Sequence, residues 1–506
     1  MSNLNLLCAS FVSSVSCGAG FLRSLLSTKT GKLSRVVAMG RGPLVMLLLL
    51  SLTCQAIVAQ NKTQTPPVKT PSDFRGKEAN APTGPSIGDL KWFEVFKDPA
   101  LQDLIQNAMI SNYDLQAAVA RINAERANLG LTRSQQFPQI VGSADLTTIK
   151  TSSNGQFAGS GASGQRSSFG SVLLNLLDFE LDIWGRLRNQ TRAARAQLRA
   201  SEEDRRAVIT TVVGDVATNY FSLLELDDEL DIAKRTLATR EDSLKLIRLR
   251  EQGGVATLLD VRQAEELVYQ ASQTIPDTER ATEQTENQIS LLLGRNPGPI
   301  PRGKPLTQQE ELPAVPAGLP SELLERRPDI RSAEQNLVAQ KALVSVAKAA
   351  YFPRISLTGF FGFQSNQLSS LFSGPSRAWS FVPQLAQPIF TGGRLKSGVN
   401  FAKAQQEFAL VQYQQTIQTA FREVSDALIR YRKEKEIRTQ QELLVSTLRD
   451  RSRLAYLRYQ GGVDTLLNAL DADRDLFDAE LNLAQTRRNE LLSLVQLYKA
   501  LGGGWQ

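Results

Sequence analysis

Three aspartates two residues apart, Asp471, Asp473 and Asp475, are a candidate metal-binding set. On a helix that spacing spreads the carboxylates over more than one face, so they do not converge on one ion. The 506-residue sequence contains no histidine to help them, which removes the commonest neutral metal ligand and the commonest general base. The three cysteines, Cys8, Cys17 and Cys54, all lie near the start. If the start is cleaved, the working protein has no thiol, or one that is lipidated. Disulfide frameworks, zinc sites and cysteine nucleophiles are then excluded. No catalytic residue, metal site or cofactor is expected, and the chain does not read as an enzyme.

Composition places the chain among folded proteins: 42% apolar and 22% charged residues are globular proportions. The net charge of +7 is spread thinly, with no long basic run interleaved with aromatics, so it points to arginine-rich helix faces and not to nucleic acid. The apolar run Leu44 to Leu52, preceded by Arg35 and Arg41, is too short to span a bilayer but suits the core of a secretory signal. Met39 and Met46 are alternative starts. Two processing sites fit: Ser51-Leu52-Thr53-Cys54 loosely resembles a lipobox that would acylate Cys54, and Ala59 precedes an ordinary cleavage site. Both export the protein. The expected organisation is a targeting segment over 1–59, an N-terminal arm over 60–97, one repeat over 98–298, a proline-rich connector over 299–320 and a second repeat over 321–503.

The repeat is explicit. Gln252-Gly253-Gly254-Val255 recurs as Gln460-Gly461-Gly462-Val463, an offset of 208 that also carries Gly185-Arg186-Leu187 onto Gly393-Arg394-Leu395 and Leu293-Gly294 onto Leu501-Gly502. Upstream the offset becomes 215, pairing Phe137-Pro138 with Phe352-Pro353. Within the first half, Arg186 to Glu251 contains no proline and reads as one helix about 100 Å long. Its stripe Ile209, Val213, Val216, Tyr220, Leu223 maps onto Ile417, Phe421, Val424, Leu428, Tyr431, so both long helices are expected to bury the same face. Each ends at a Gly-Gly suited to a left-handed turn, and a return helix follows, over Val255 to Leu293 and Val463 to Ala500. Pro276 is expected to interrupt and kink the first return helix, where the second has Ala484.

Upstream of each long helix sits a pair of strand-like runs: Ile140 to Ile149 with Phe169 to Trp184, and Arg354 to Gln364 with Ala378 to Phe390. Ser- and Gly-rich loops separate them, as in a lipid-exposed β-sheet. Beyond the leader no segment reads as a membrane helix, so a membrane crossing must be a barrel. Four strands cannot close one, and the shortfall calls for a symmetric assembly of copies.

The stretch Glu325-Arg326-Arg327-Pro328-Asp329-Ile330, then Ala347-Lys348-Ala349-Ala350-Tyr351-Phe352-Pro353-Arg354-Ile355-Ser356-Leu357-Thr358-Gly359, resembles the NodT-type branch of the TolC-like outer membrane factors. Phe96-Lys97-Asp98-Pro99 and Gly392-Gly393-Arg394 share the resemblance, which covers about residues 87 to 503. It implies a mainly α fold with a small β part, in which duplicated helical hairpins build an α-barrel tunnel across the periplasm. Four strands per chain contribute to a 12-stranded trimeric transmembrane barrel in the outer membrane. The implied partners are two further copies, a periplasmic adaptor protein, an inner-membrane pump of the resistance-nodulation-division class and outer-membrane lipid. The implied function is a passive exit duct for drugs, solvents or metals. An exit duct for type I protein secretion shares the same fold, and a periplasmic coiled-coil scaffold is the reading of another class. By the same resemblance the hairpin tips, Gly253, Gly254 and Val255 with Gly461, Gly462 and Val463, meet the adaptor. Asp260, Tyr459, Asp464, Asn468 and Asp471 surround the periplasmic aperture, with Asp464 standing where other members carry arginine. Three copies of Asp471 are expected to converge there, and Tyr459 to hydrogen-bond Asp260 on a neighbouring hairpin.

Overall fold

The computed structural model describes residues 71, 73–76, 86–150, 152, 154, 166–309 and 320–505. The expected leader with Cys54 lies outside them, as do most of the arm before Ser86 and residues 310–319 of the connector. Two short helices open the first repeat. α1 (Trp92–Val95) leads to α2 (Pro99–Ser111), whose N-cap Asp98 accepts from Ala100 N and whose first residue is a proline, both favoured at a helix start. Asn112 caps α3 (Tyr113–Ser134) by accepting from the amides of Asp114 and Leu115. The hairpin of β1 (Ile140–Lys150) and β2 (Arg166–Glu180) leads into α4 (Arg186–Gln252) and α5 (Leu258–Leu292). The second repeat follows the same order: α6 (Pro320–Arg326), α7 (Pro328–Ala349), β3 (Arg354–Ser365), β4 (Arg377–Ala386), α8 (Arg394–Gln460) and α9 (Leu466–Ala500).

The duplication holds to the residue. α4 and α8 are 67 residues each, α5 and α9 are 35 each, and every boundary is displaced by the 208 of the sequence repeat. α4 runs against α5, α9, α3 and α7, while α8 runs against α9 and α7. Thus α7 lies between the two long helices, whereas its counterpart α3 packs on α4 alone. In the first stripe Ile209, Val213, Val216, Tyr220 and Leu223 are all buried; in the second, Ile417, Val424 and Leu428 are buried and Phe421 and Tyr431 half-buried. One 18-residue stretch of α4 is long and apolar enough to cross a membrane, contrary to the sequence reading, but 61% of it is buried inside the chain. Its apolar content is explained by packing.

The four strands form one antiparallel sheet in the order β1-β2-β3-β4, so the two hairpins join through β2 and β3 across the halves. The register places Gly142, Leu174, Phe361 and Trp379 in one row across the sheet, and Ile140, Leu176, Gly359 and Phe381 in the next row on the same face. The opposite face carries Ser143, Asp145, Asn175, Gln364 and Ser380, with Asn175 donating to Ser143 Oγ at 2.9 Å. One face therefore carries the largest exposed apolar side chains, while the other mixes these polar residues with Val141, Ile149, Phe169 and Val382.

Several boundaries differ from expectation. β2 ends at Glu180, after a bulge between Leu176 and Phe179, because Asp182 turns inward to accept from the amides of Leu187 and Arg188 at the start of α4. β4 stops at Ala386, before Pro388, and the return helices start at Leu258 and Leu466, three residues later than read. Pro276 does not interrupt α5, which continues on both sides of it. Thr274, Thr278 and Thr282 each bond the carbonyl four residues back along this stretch.

Candidate functional site

Both hairpin tips are built by the same backbone device. At the end of α4, Gly253 N bonds Leu249 O, and Gly254, at φ +73°, lets Val255 N return to Arg250 O at 2.8 Å. At the end of α8, Gly461 N bonds Leu457 O, and Gly462, also at φ +73°, lets Val463 N return to Arg458 O at 3.1 Å. Positive φ is cheap only for glycine, so the second glycine of each pair is required by the turn. Val255 and Val463 are each 70% exposed at the apex, and Leu258, Leu259 and Leu467 are exposed beside them. Five large apolar side chains in water at two loop ends form a surface suited to a partner.

The candidate aperture residues are distributed over this frame. Asp260 closes a capping box: its carboxylate accepts from Thr257 N at 2.7 Å and Thr257 Oγ1 at 2.8 Å, while its own amide donates to Thr257 Oγ1. Asp464 accepts from Asn468 Nδ2 at 2.7 Å, Thr465 N at 2.9 Å and Arg458 Nε at 3.1 Å. The Asn468 bond, then the Thr465 amide and Arg458, hold its carboxyl below the usual range. Asp471 lies 3.4 Å from Arg474 one turn on. Within the chain Asp260 and Tyr459 are not joined. Tyr459 packs on the cluster of Leu244, Ile247, Val261, Leu267, Leu466 and Leu470, and the Arg250 guanidinium lies 4.7 Å from its ring centroid. That cluster draws from both hairpins and fastens one tip against the other.

Sequence reasoning missed the residue that ties the hairpins above the tips. Arg240 is 3% exposed. Its Nε donates to Asp473 at 2.8 Å, one terminal nitrogen donates to Leu267 O at 2.9 Å, and its guanidinium lies over Phe477. The other terminal nitrogen is buried with no hydrogen bond. The signal was in the spacing: Leu237, Arg240, Leu244 and Ile247 are three and four apart, so the arginine occupies an apolar stripe. Asp475, by contrast, pairs with Arg451 at the surface, 2.7 Å away. Among the described residues no group of acids, cysteines or histidines gathers to hold a metal ion.

The quoted motifs hold the base of the hairpins together. Asp98 accepts from Tyr220 OH at 2.8 Å, Gln309 Nε2 at 2.9 Å and Lys304 N at 3.1 Å, which pins the connector to α4 and pushes the Tyr220 hydroxyl well up, chiefly by burial. Arg327 bridges Asp329, Glu423 on α8 and Ala500 O at the end of α9. Nearer the tips on the same helices, Glu225 on α4 pairs with Arg488 on α9 at 3.0 Å. Burial first, then the charge of Glu229, pushes the Glu225 carboxyl up to about 7 despite that arginine.

The outer membrane efflux protein profile matches residues 104–295 and 319–503. The chain is 37% identical over 468 residues to the probable efflux pump outer membrane protein TtgC of Pseudomonas putida, covering 90% of this chain and 96% of that one. It is 37% identical over 470 residues to outer membrane protein OprJ of Pseudomonas aeruginosa, covering 91% and 96%. Among solved structures, the outer-membrane channel OprN aligns with a TM-score of 0.79 at 30% identity, over 88% of this chain and 99% of that one. The open state of the MtrE outer membrane channel of Neisseria gonorrhoeae aligns with a TM-score of 0.79 at 31% identity, over 88% and 98%. The chain belongs to the outer membrane efflux protein family, and its place is the outer membrane, as an efflux channel component.

Proposed function

We propose that three copies of the chain form a passive duct through which small molecules leave the cell, with no catalytic step of its own. The carrying observation is the sheet: four strands with an apolar face and two unpaired edges, β1 and β4. An open edge in lipid leaves backbone groups unsatisfied, so β4 of one copy must find β1 of the next. The β2–β3 junction inside the chain is the template for that contact. α3 supports the same closure, since it lacks the second long helix that α7 touches, and α8 exposes Phe401, Phe408 and Val411. Three copies give twelve strands, enough for a lumen. Energy comes from an inner-membrane pump, and an adaptor grips the tips at Gly253 to Val255 and Gly461 to Val463. The relatives include proteins named for toluene, solvent and antibiotic efflux, so an apolar small-molecule cargo is the substrate class.

In this reading Asp260, Tyr459, Asp464, Asn468 and Asp471 line the periplasmic mouth, and three copies of Asp471 attract cations there. Release at the mouth is tested by single-channel conductance in planar bilayers. Tyr459→Phe with Asp260→Ala is expected to raise conductance, and Asp471→Ala to weaken block by divalent cations from the periplasmic side. Wild-type conductance and block in both variants would place the constriction elsewhere. A mass of one chain in mild detergent, with full activity, would sink the trimer.

A further inference from the structure

The two ends of the sheet carry opposite charge patterns. At the end that joins the helices the cations are paired. Arg354 bridges Asp178 and Glu180, Arg186 pairs with Glu180 at 2.8 Å, and Arg188 pairs with Asp182 at 3.2 Å. At the far end, which turns through residues 151–165 and 366–376, the charge is of one sign. Residues 146–177 and 357–393 contain no aspartate or glutamate, and their only cations are Lys150, Arg166 and Arg377. All three are exposed. The register puts them on one face, with Lys150 opposite Arg166 and Arg377 in the row of Val172 and Phe363. It is the face of Leu174, Phe361 and Trp379. Asp145, just before this stretch, stands on the other face.

The loop between β3 and β4 folds onto the cationic face. A Cβ on Gly170 would stand 3.6 Å from Leu368 and 3.8 Å from Leu146, and Phe372 meets Phe363 edge-on with ring centroids 5.7 Å apart. Serines fix the shape of the loop: the hydroxyls of Ser373 and Ser376 each donate to Ser370 O at 2.7 Å. Leu368 and Phe372 nevertheless stay 67% and 72% exposed.

Height divides the cations into two tiers. On this face the apolar rows run from Ile355 and Leu385 up to the row of Leu146, ten residues of strand or about 34 Å. Tilted by about 40°, they rise about 26 Å, which matches the apolar band of a membrane barrel. Arg377 lies one row inside the outer border, where a long side chain reaches the headgroups. The Lys150–Arg166 pair lies four residues past the border, about 10 Å above it. A phospholipid headgroup layer is only about 5–7 Å deep, so its phosphate meets Arg377 and leaves the upper pair unanswered. A lipid with phosphates at its base and further anions on a sugar headgroup answers both tiers.

We propose that this outward rim docks an anionic glycolipid of the outer leaflet, with its base phosphates on Arg377, its sugar anions on Lys150 and Arg166, and its acyl chains against Leu146, Leu368 and Phe372. The proposal rests on the reading of the sheet as part of a barrel that crosses the outer membrane with the helices on the periplasmic side.

Native mass spectrometry of the full-length protein in mild detergent, titrated with rough lipopolysaccharide, lipid A or phosphatidylglycerol, tests it. Wild type is expected to bind rough lipopolysaccharide at least about tenfold more tightly than phosphatidylglycerol. Lys150→Gln with Arg166→Gln should lower affinity for rough lipopolysaccharide at least about fivefold and leave lipid A, which ends at the lower tier, within about twofold. Arg377→Gln should weaken both. Arg166→Lys with Arg377→Lys keeps the charges and should bind within about twofold of wild type. Equal wild-type affinity for phosphatidylglycerol and lipopolysaccharide overturns the proposal. So does wild-type affinity after all three cations are changed to Gln in a protein whose oligomer mass is unchanged. A loss for lipid A as large as that for lipopolysaccharide in the Lys150/Arg166 variant removes the upper tier. Orientation is checked separately. Gly374→Cys lies at an open place in the loop, and a thiol reagent that cannot cross membranes should label it on intact cells. Labelling only after the cells are broken sinks the membrane reading itself, whatever the lipid result.

Discussion

The two hairpin tips share a backbone and differ in chemistry. Both place the second glycine at φ +73° and return the next amide to the last helical turn. In the first tip the acid is the N3 residue, Asp260, locked in a capping box with Thr257. In the second tip N3 is Asn468, the acid has moved to Asp464 ahead of the helix, and Thr465 makes no side-chain cap bond. Duplication fixed the path of the chain, while the charges on it were reassigned. The first tip is held from inside its own helix; the second reaches back to Arg458 on α8 and is tied across the turn.

The largest expected effect lies just above the tips. Arg240→Ala leaves Asp473 nearly buried without its partner, and such a broken pair costs about 3–5 kcal/mol. Thermal unfolding in mild detergent should show it, and a loss no greater than that of Leu448→Ala, the repeat-equivalent change, would erase the contrast between the two halves. Next in size, Thr257→Ala is expected to destabilise the first tip by about 1 kcal/mol, the usual cost of a lost N-cap. Thr465→Ala should cost much less, because that side chain caps nothing. Hydrogen exchange at amides 258–261 and 466–469 compares them, and equal losses would break the distinction. Acid gives a third comparison. Asp464 is depressed, so the order it lends the second tip is present above the ordinary carboxylate value and is lost as pH falls through its own lower one. Protection of the Thr465 amide should fall in that range and be insensitive to pH in Asp464→Asn.

The smallest effect has the opposite sign. Glu225 is raised to about 7, so its charged form weakens the folded state; the cost is full above that value and disappears as pH falls toward about 4.5. Lowering the pH from 8 to 5 should therefore modestly stabilise the base of the hairpins, and Glu225→Gln should flatten that slope in a thermal melt.

Most of the fold was legible because two copies of one pattern had to agree. The long helices, the turns at Gly253 and Gly461, and all four strands follow from periodicity and glycine placement. What escaped were boundaries set by side chains acting at a distance. Asp182 leaves the strand pattern to cap α4, and the Thr257 capping box starts α5 three residues later than read. Pro276 reads locally as a breaker, yet α5 is packed along its length by α4, and tertiary contact outweighs one missing donor. The pairing of β2 with β3 was also unreadable, since nothing in a strand's own residues names its neighbour across about 180 residues. At the site, the turn glycines could be seen directly, whereas Arg240 looked like an ordinary surface charge until its place on the apolar stripe was counted.

The equal lengths of α4 and α8 make the pair a gauge. A single residue inserted in one long helix would lower its tip by about 1.5 Å and turn everything below it by about 100° relative to the other. The Arg240 tie and the cluster under Tyr459 would then face the wrong neighbours. Change in length is confined to the other end of the hairpins: between Pro138 and Gly185 the first half is seven residues longer than its counterpart, in the segment that carries the sheet and its loop. The helical end is a fixed ruler against which any partner beneath it must be cut, and only the face toward the outside is free to vary.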